Sequence, residues 1–504
     1  MSRSLGKTPI LVGAAQVTQR WSGTGTPDHP LALMVKAGRA ALSDSGSTRL
    51  ASAIDWIAVV NILTWSYADA PGSLARELGL TPTRGTYTTI GGNSPQYLVH
   101  RAAEALAEGR ARAVLLAGAE SGDALTQARK LGRRFDEWPA RTEASAIEGD
   151  ARIGISPIEQ AYDLFLPSSM YPLIETAIRA STGLAPDAHR RHLGRLFARF
   201  AAVARGHPHA WFREAHSADR IAQAAADNRY VGYPYTKLMN AMMSVDQAAA
   251  LVLTTVEEAT KLGIDPSRWV YPMGGADLND VWHVMERPSL HRSPAIQQAS
   301  RSALARAGMR VSEITAFDLY SCFPAAVELA LDAMEIEADD PRDLTITGGL
   351  PYFGGPGNNY SMHAIATAVD RIRHDRDARV LISALGWYAT KHSIGVYGGS
   401  RPPSRWSAPD DAVDQTMIDA SAVAPPIERA AGDARIAAFV IRHGRDGGPV
   451  DGTALVRTQD GARALATIDA PANELDAMER EEIVGRLCRL HHDAGSGLNR
   501  LRLS

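Results

Sequence analysis

KAGRAALSDSG (residues 36–46) and QASRSALARAG (residues 298–308) are two versions of one phrase. Each reads as an alanine-rich amphipathic helix stopped by a glycine, Gly46 or Gly308, the residue suited to the left-handed position after a helix. Each is followed by a short apolar strand candidate, IDWIAVV from Ile54 or ITAFDLY from Ile314. The echo then continues. A double glycine (Gly91–Gly92; Gly348–Gly349) precedes an Asn-containing helix start and a histidine, His100 or His363. An alanine-rich helix leads on to a buried strand candidate, RAVLLAG (112–118) or ARVLISA (378–384). A repeat spaced by about 260 residues implies two similar α/β halves, not a solenoid. Loops of the two halves then meet at a shared site.

Composition narrows the class. The 504 residues are 45% apolar and 22% charged with a formal net charge of −3, an ordinary globular balance that gives no case for a nucleic-acid partner. RKLGRR (129–134) is the strongest cationic run and reads as a solvated loop, with an anion site as the alternative. Cys322 and Cys488 are the two cysteines, too few for a disulfide framework or a zinc cluster, which points to a reducing compartment and by default the cytoplasm. The opening MSRSLGKTPILVGAAQV lacks a signal-peptide core, and PILVGAAQV reads as a first strand. No membrane span is expected, since no apolar run approaches about 18 residues.

Strand and helix candidates alternate to residue 121, which predicts βαβ units and a largely parallel sheet. Residues 122–240 change character and read as a helical insertion, after which SVDQAAALVLTTVEEATKLG (244–263) resumes the first half as strand and helix. The first half is thus 1–121 plus 241–266, and the second runs over 267–400. Proline-rich 401–432 reads as a linker. Residues 433–504 form a β-rich appendix of small-barrel type, closed by a helix over ELDAMEREEIVGRLCRL and a loosely ordered tail. His491 and His492 lack a third ligand nearby, so no metal site is assigned.

ALAEGRARAVLLAGAES (105–121) and SVDQAAALVL (244–253) carry a resemblance to the thiolase superfamily over roughly residues 8–400. The chain is most similar to its sterol-carrier-protein-type branch and to thiolase-like proteins of type 1, which carry an extra C-terminal β-domain. The resemblance implies a duplicated five-layered αβαβα fold with a helical loop domain and a small C-terminal β-barrel-like domain. It also implies an acyl-CoA ligand, acyltransferase-type chemistry, no resident cofactor, and a homodimer or monomer. Thiolases work through a cysteine nucleophile at a helix N-terminus, an Asn or His loop, a Gly-His-Pro loop and a second cysteine; a helix N-terminus favours a thiolate, and fixed donors hold the oxyanion.

This sequence departs at all four loops. Gly92 in IGGNSPQ stands at the nucleophile, Gly355 in GGLPYFGGPGNNYS at the histidine, Ala384 in LISALGWYATKH at the second cysteine (Ser383 with a one-residue slip), and Tyr320 in DLYSCFP at the Asn/His position. Glycine cannot attack a thioester, so ordinary thiolytic or condensing chemistry through an acyl-cysteine is not expected.

The superfamily also includes aldolases that cleave a β-hydroxyacyl-CoA side chain through tyrosines. That makes Tyr320 the first catalytic candidate, with Tyr352 and Tyr360 beside it on the glycine-rich loop. His363, His392 and Cys322 are further candidates: His392, beside Lys391, would recover a lost base, while the structural readings of His363 and Cys322 are a core or capping histidine and a small buried hydrophobe. Gly92, Asn93, Gly354, Gly355 and Ala384 are the expected substrate-binding loop positions, and Ser94 reads as a helix cap. Two functions follow: an acyl-CoA enzyme of acyltransferase or aldolase type, or an acyl-CoA or lipid binding protein that has lost its chemistry.

Overall fold

Nine consecutive buried residues in Ala113–Ser121 and ten in Asp246–Thr255 explain why those segments read as unbroken apolar runs: each is a strand covered on both faces. The computed structural model describes residues 6–407 and 411–503. The opening MSRSL, residues 408–410 of the proline-rich breaker and Ser504 lie outside the described residues.

In the first half, β1 (Pro9–Gln19), β2 (Ile54–Val59), β3 (Arg84–Tyr87) and β4 (Ala113–Ser121) run parallel. After β5 (Tyr230–Gly232) and β6 (Tyr235–Thr236) in the insertion, β7 (Asp246–Thr255) enters between β1 and β4 in the opposite direction. The sheet order is β1-β7-β4-β2-β3, so the predicted parallel character holds for every strand but β7. The second half repeats the plan with β8 (Tyr271–Asn279), β9 (Ala316–Asp318), β10 (Arg379–Gly386) and β11 (Lys391–Gly398) in the order β8-β11-β10-β9. Gly46 and Gly308 are left-handed, with φ of 74° and 68°, as their place after each helix demanded.

The helices Ser94–Glu108 and Tyr360–His374 lie back to back between the two sheets and form the middle of five layers. Alanines dominate their buried faces, which lets two sheets close on one helical layer. Each repeat histidine crosses to the other half. His100 Nδ1 pairs with Asp277 of β8 at 3.0 Å, and His363 Nδ1 meets Gln16 Oε1 of β1 at 2.9 Å. The crossing needs a glycine: a β-carbon at Gly275 would stand 2.2 Å from His100 Nε2.

The insertion supplies the helices Pro167–Thr182 and Pro186–Gly206. Its β5 and β6 continue a sheet of the C-terminal region, formed by β12 (Gly432–His443), β13 (Pro449–Thr458), β14 (Arg463–Ile468), β15 (Leu487–Asp493) and β16 (Leu498–Leu503). Those five strands close into a barrel, because β12 pairs with both β15 and β13. Two expectations change here. The closing helix ends at Met478, and LCRLHHD with the tail makes the β15–β16 hairpin: alternating burial and the turn at Gly497 override the helical spacing. The 401–432 stretch contains the helix Ala412–Ala420, fastened to the second half where Asp411 meets Arg306 and Asp414 meets Gln298. Among the described residues, no helix is long and apolar enough to cross a membrane.

Burial pushes the Asp277 carboxyl up, but His100 beside it outweighs this and holds it below the usual carboxylate range. Its stabilisation is therefore fully present at neutral pH and is lost as the pH falls through the folded-state value. Asp277→Asn should cost about 2–3 kcal/mol at pH 7, with a smaller difference from wild type near pH 3, measured by denaturant unfolding. An equal difference at both pH values would contradict the strut.

Candidate active site

Four loops from the two halves converge beneath the start of the inserted helix Pro167–Thr182 and enclose a cavity of about 410 Å³. Gly91 and Gly92 come from the approach to the helix Ser94–Glu108, Tyr320, Cys322 and Phe323 from the loop after β9, Gly357 and Asn358 from the glycine-rich loop, and Leu385, Gly386 and Trp387 from the end of β10. Leu63, Ile90, Met243 and Leu350 make the remaining wall largely apolar.

Backbone and side-chain bonds lock the loops together. The Tyr320 N–H donates to Ser383 Oγ at 2.9 Å, the Gly91 N–H to Asn358 Oδ1 at 3.0 Å, and the Ser361 hydroxyl to the Gly92 carbonyl at 2.6 Å. Tyr171 of the inserted helix takes the Ala389 N–H at 3.0 Å and donates to the Trp387 carbonyl at 3.1 Å. Trp387 and Ala389 hold positive φ (56° and 51°), a costly conformation for non-glycine residues, so the insertion braces a strained wall of the cavity.

The space beside Gly92 is filled from across the site. A β-carbon at Gly92 would stand 2.1 Å from the Tyr320 hydroxyl and 2.6 Å from the Leu385 carbonyl oxygen. No side chain fits there while Tyr320 stays in place. Gly355 differs: a β-carbon there would meet Leu350 and Met243 at 3.4 Å, close to ordinary contact. Tyr320 packs edge-to-face on Tyr360 at 5.5 Å, and among the described residues its hydroxyl has no hydrogen-bond partner. Burial, aided by nearby Cys322, pushes the Tyr320 phenol far up, so it is a neutral donor. Burial likewise pushes the Cys322 thiol up to about 12, against the effect of neighbouring Tyr171. Neither is ionised at neutral pH.

Tyr320, Cys322 and Gly92 thus reach the cavity, and the remaining expected residues do not line it. His363 is fully buried on Gln16 and Phe353, with burial driving its pKa well down: it is a core histidine. His392 lies 3.1 Å from Asp280 and borders a separate cavity of about 170 Å³ shared with Asn93. Asn93 donates to Ser393 Oγ, and Ser94 donates to the Thr89 carbonyl, so Ser94 is no helix cap. Ala384 is buried behind Leu385, with Ser383 serving Tyr320. The Gly355 N–H is spent on the Met242 carbonyl, and Gly354 sits against Gln247, one step behind Gly357. The Tyr360 hydroxyl is bound to Asp318 at 2.8 Å, and Tyr352 is wholly buried on Phe197, so neither joins Tyr320 in an acid/base set.

Sequence reasoning missed Tyr171, Asn358 and Trp387. It also missed Glu120, which accepts from the Leu63 and Thr64 N–H groups at 2.8 Å and fixes the loop bearing Leu63. Burial pushes the Glu120 carboxyl up to about 7. Tyr171 lies in the insertion, where no repeat or motif marked it. A depression of about 440 Å³ on the barrel, edged by charged residues such as Asp469 and Arg486, involves neither repeat.

A duplicated αβαβα core whose loops meet in one cavity defines a thiolase-like protein. The additional C-terminal domain of thiolase-like protein type 1 matches residues 414–495. A crystal structure of a monomeric SCP2-thiolase-like protein type 1 from Mycobacterium smegmatis is 32% identical, with 99% of each chain covered and a TM-score of 0.85. The chain belongs to this SCP2-thiolase-like protein type 1 family. The Ltp2–ChsH2(DUF35) aldolase shares the fold at 18% identity (TM-score 0.59, 78% of this chain and 98% of that one). Acetyl-CoA acetyltransferase from Syntrophomonas wolfei does so at 15% (TM-score 0.55, 78% and 99%). No curated protein matches.

Two outcomes check the geometry. Gly92→Ala should destabilise by about 1–3 kcal/mol through overpacking, and a double-mutant cycle with Tyr320→Ala should show a coupling of about 1 kcal/mol; additive effects would contradict the contact. Cys322 at pH 8 should alkylate with iodoacetamide roughly 1,000-fold slower than a free cysteine, because its thiolate fraction is about one in ten thousand. Peptide mapping that finds ordinary reactivity would contradict the raised pKa.

Proposed function

We propose that the cavity binds a coenzyme A thioester with its acyl group on the apolar wall, and that the protein carries out aldol-type carbon–carbon chemistry next to the thioester without an acyl-cysteine. The observation that carries this reading is the neutral, unpartnered Tyr320 hydroxyl in the space a nucleophile would fill. In cleavage, the β-hydroxyl gives its proton to water, the bond between the α- and β-carbons breaks, and its electron pair passes into the thioester as an enolate. The carbonyl fragment departs, and the thioester enolate takes a proton at its α-carbon. A fixed neutral donor stabilises the enolate oxygen at the moment charge develops there. Gly92 lines the same wall, and its N–H has no acceptor among the described residues, which suits it as a second donor. The fold hosts an aldolase as well as an acetyltransferase, so the scaffold is compatible with either bond change.

A second reading, an acyl-CoA or lipid binding protein without chemistry, is favoured by the protonated state of Tyr320 and Cys322 and by the absence of any imidazole from the residues lining the cavity. For oligomeric state we infer a monomer. The outer edge of β3 is covered by the chain's own Glu148, whose N–H donates to the Tyr87 carbonyl at 2.8 Å and whose carbonyl accepts from Thr89 at 3.0 Å. A reducing compartment such as the cytoplasm suits the two free thiols.

Calorimetry and product analysis with a panel of β-hydroxyacyl-CoA thioesters test both readings. With a responsive thioester, Tyr320→Phe should lower turnover about 100- to 1,000-fold while affinity changes only a few-fold. Unchanged turnover would remove Tyr320 from the chemistry. Binding without product across the panel would favour the second reading, and no binding would count against both.

A further inference from the structure

A second cluster of chemistry lies away from the cavity, where the inserted helices meet the helix Pro324–Met334. Glu175, His189 and Glu328 each offer one ligand atom, and these atoms lie within 4.8 Å of one another. His189 Nε2 is 2.6 Å from Glu175 Oε1 and 4.0 Å from Glu328 Oε2. Glu175 and His189 are fully buried, and the Glu328 side chain is only 10% exposed. Tyr235 donates its hydroxyl proton to Glu175 Oε2 at 2.5 Å, and His192 Nε2 lies 3.1 Å from Glu328 Oε1. Glu328 Oε2 is buried and accepts no hydrogen bond, and its carboxyl faces that of Glu175.

Two carboxylates sharing one buried space require a proton or a cation between them, because like charges in low dielectric cannot both stay bare. We propose that this cluster is a binding site for a divalent cation of the zinc class, ligated by Glu175, His189 and Glu328. One imidazole and two carboxylates form a donor set typical of zinc, manganese and ferrous iron. Ligand atoms around tetrahedral zinc stand about 3.3 Å apart, so closing the site means opening the 2.6 Å contact, shortening the 4.0 Å one, and bringing the Glu175 and Glu328 oxygens, now within 4.8 Å, to the same spacing. The cation takes the place of the proton bridging His189 Nε2 and Glu175, and binding therefore releases a proton.

The site would act as a clamp. Tyr235 also accepts the Ala325 N–H at 3.2 Å and stacks on Phe323, which lines the cavity beside Cys322. A cation here ties the insertion to the helix that follows the Tyr320–Cys322 loop. The ligands come from three separate segments, so no sequence spacing announces them.

The test uses the full-length chain, stripped with a chelator and titrated calorimetrically with zinc chloride, then with manganese and cobalt. The expected result is about one equivalent bound at micromolar affinity or better, with proton release and a higher Tm. Glu328→Gln, which keeps a hydrogen-bonding side chain against Glu175, should weaken binding by about 100-fold, and His189→Gln should do the same. Wild-type protein that takes up no divalent cation below about 100 μM, or uptake untouched by both substitutions, would overturn the proposal. The cluster would then be a proton-sharing carboxylate pair.

Discussion

The contact between the Tyr320 phenol and Gly92 governs the site. With the hydroxyl 2.1 Å from where a β-carbon would begin, position 92 must be glycine while Tyr320 stays in place and can carry no nucleophile of its own. The reverse dependence holds as well. Ser383 accepts the Tyr320 backbone N–H, so the strand Arg379–Gly386 helps to position the phenol. Gly92, Tyr320 and Ser383 therefore belong to one packing arrangement. Gly355, where a β-carbon would meet only ordinary contacts, stands apart from it.

The duplication supports this arrangement mechanically. His100 reaches Asp277 and His363 reaches Gln16, so each half inserts an imidazole into the other across the paired alanine-rich helices. Both imidazoles are buried struts. The inserted helices add a third brace through Tyr171, which holds the strained Trp387–Ala389 turn. The C-terminal barrel grips the same inserted helix: the Thr176 hydroxyl donates to the Phe439 carbonyl at 2.9 Å, and Arg179 pairs with Glu482. The cavity wall is thus supported from both halves, the insertion and the barrel.

Periodicity made most of the framework legible in the sequence. The repeated helices, the Gly46 and Gly308 stops, the buried runs of β4 and β7 and the small C-terminal barrel all carry local signals strong enough to read directly. The closing hairpin is not legible as such, because residues 487–490 satisfy a helical spacing until β12 and β16 offer them edges to pair with. At the site, matching positions located Gly92, Tyr320 and Cys322. It could not distinguish a histidine aimed at a ligand from one aimed at the opposite half, so His363 and His392 were misplaced. Tyr171 was invisible for a different reason: a residue that reaches a site from an insertion has no counterpart in the repeat.

The central claim is that Tyr320 donates to a thioester carbonyl in the cavity between the halves. A crystal structure with a bound CoA thioester, or a non-hydrolysable analogue of one, tests it most directly. The account predicts the carbonyl oxygen within about 3 Å of the Tyr320 hydroxyl, with the acyl group against Leu63, Met243 and Leu350. A thioester bound elsewhere, or bound with its carbonyl turned away from Tyr320, would contradict it.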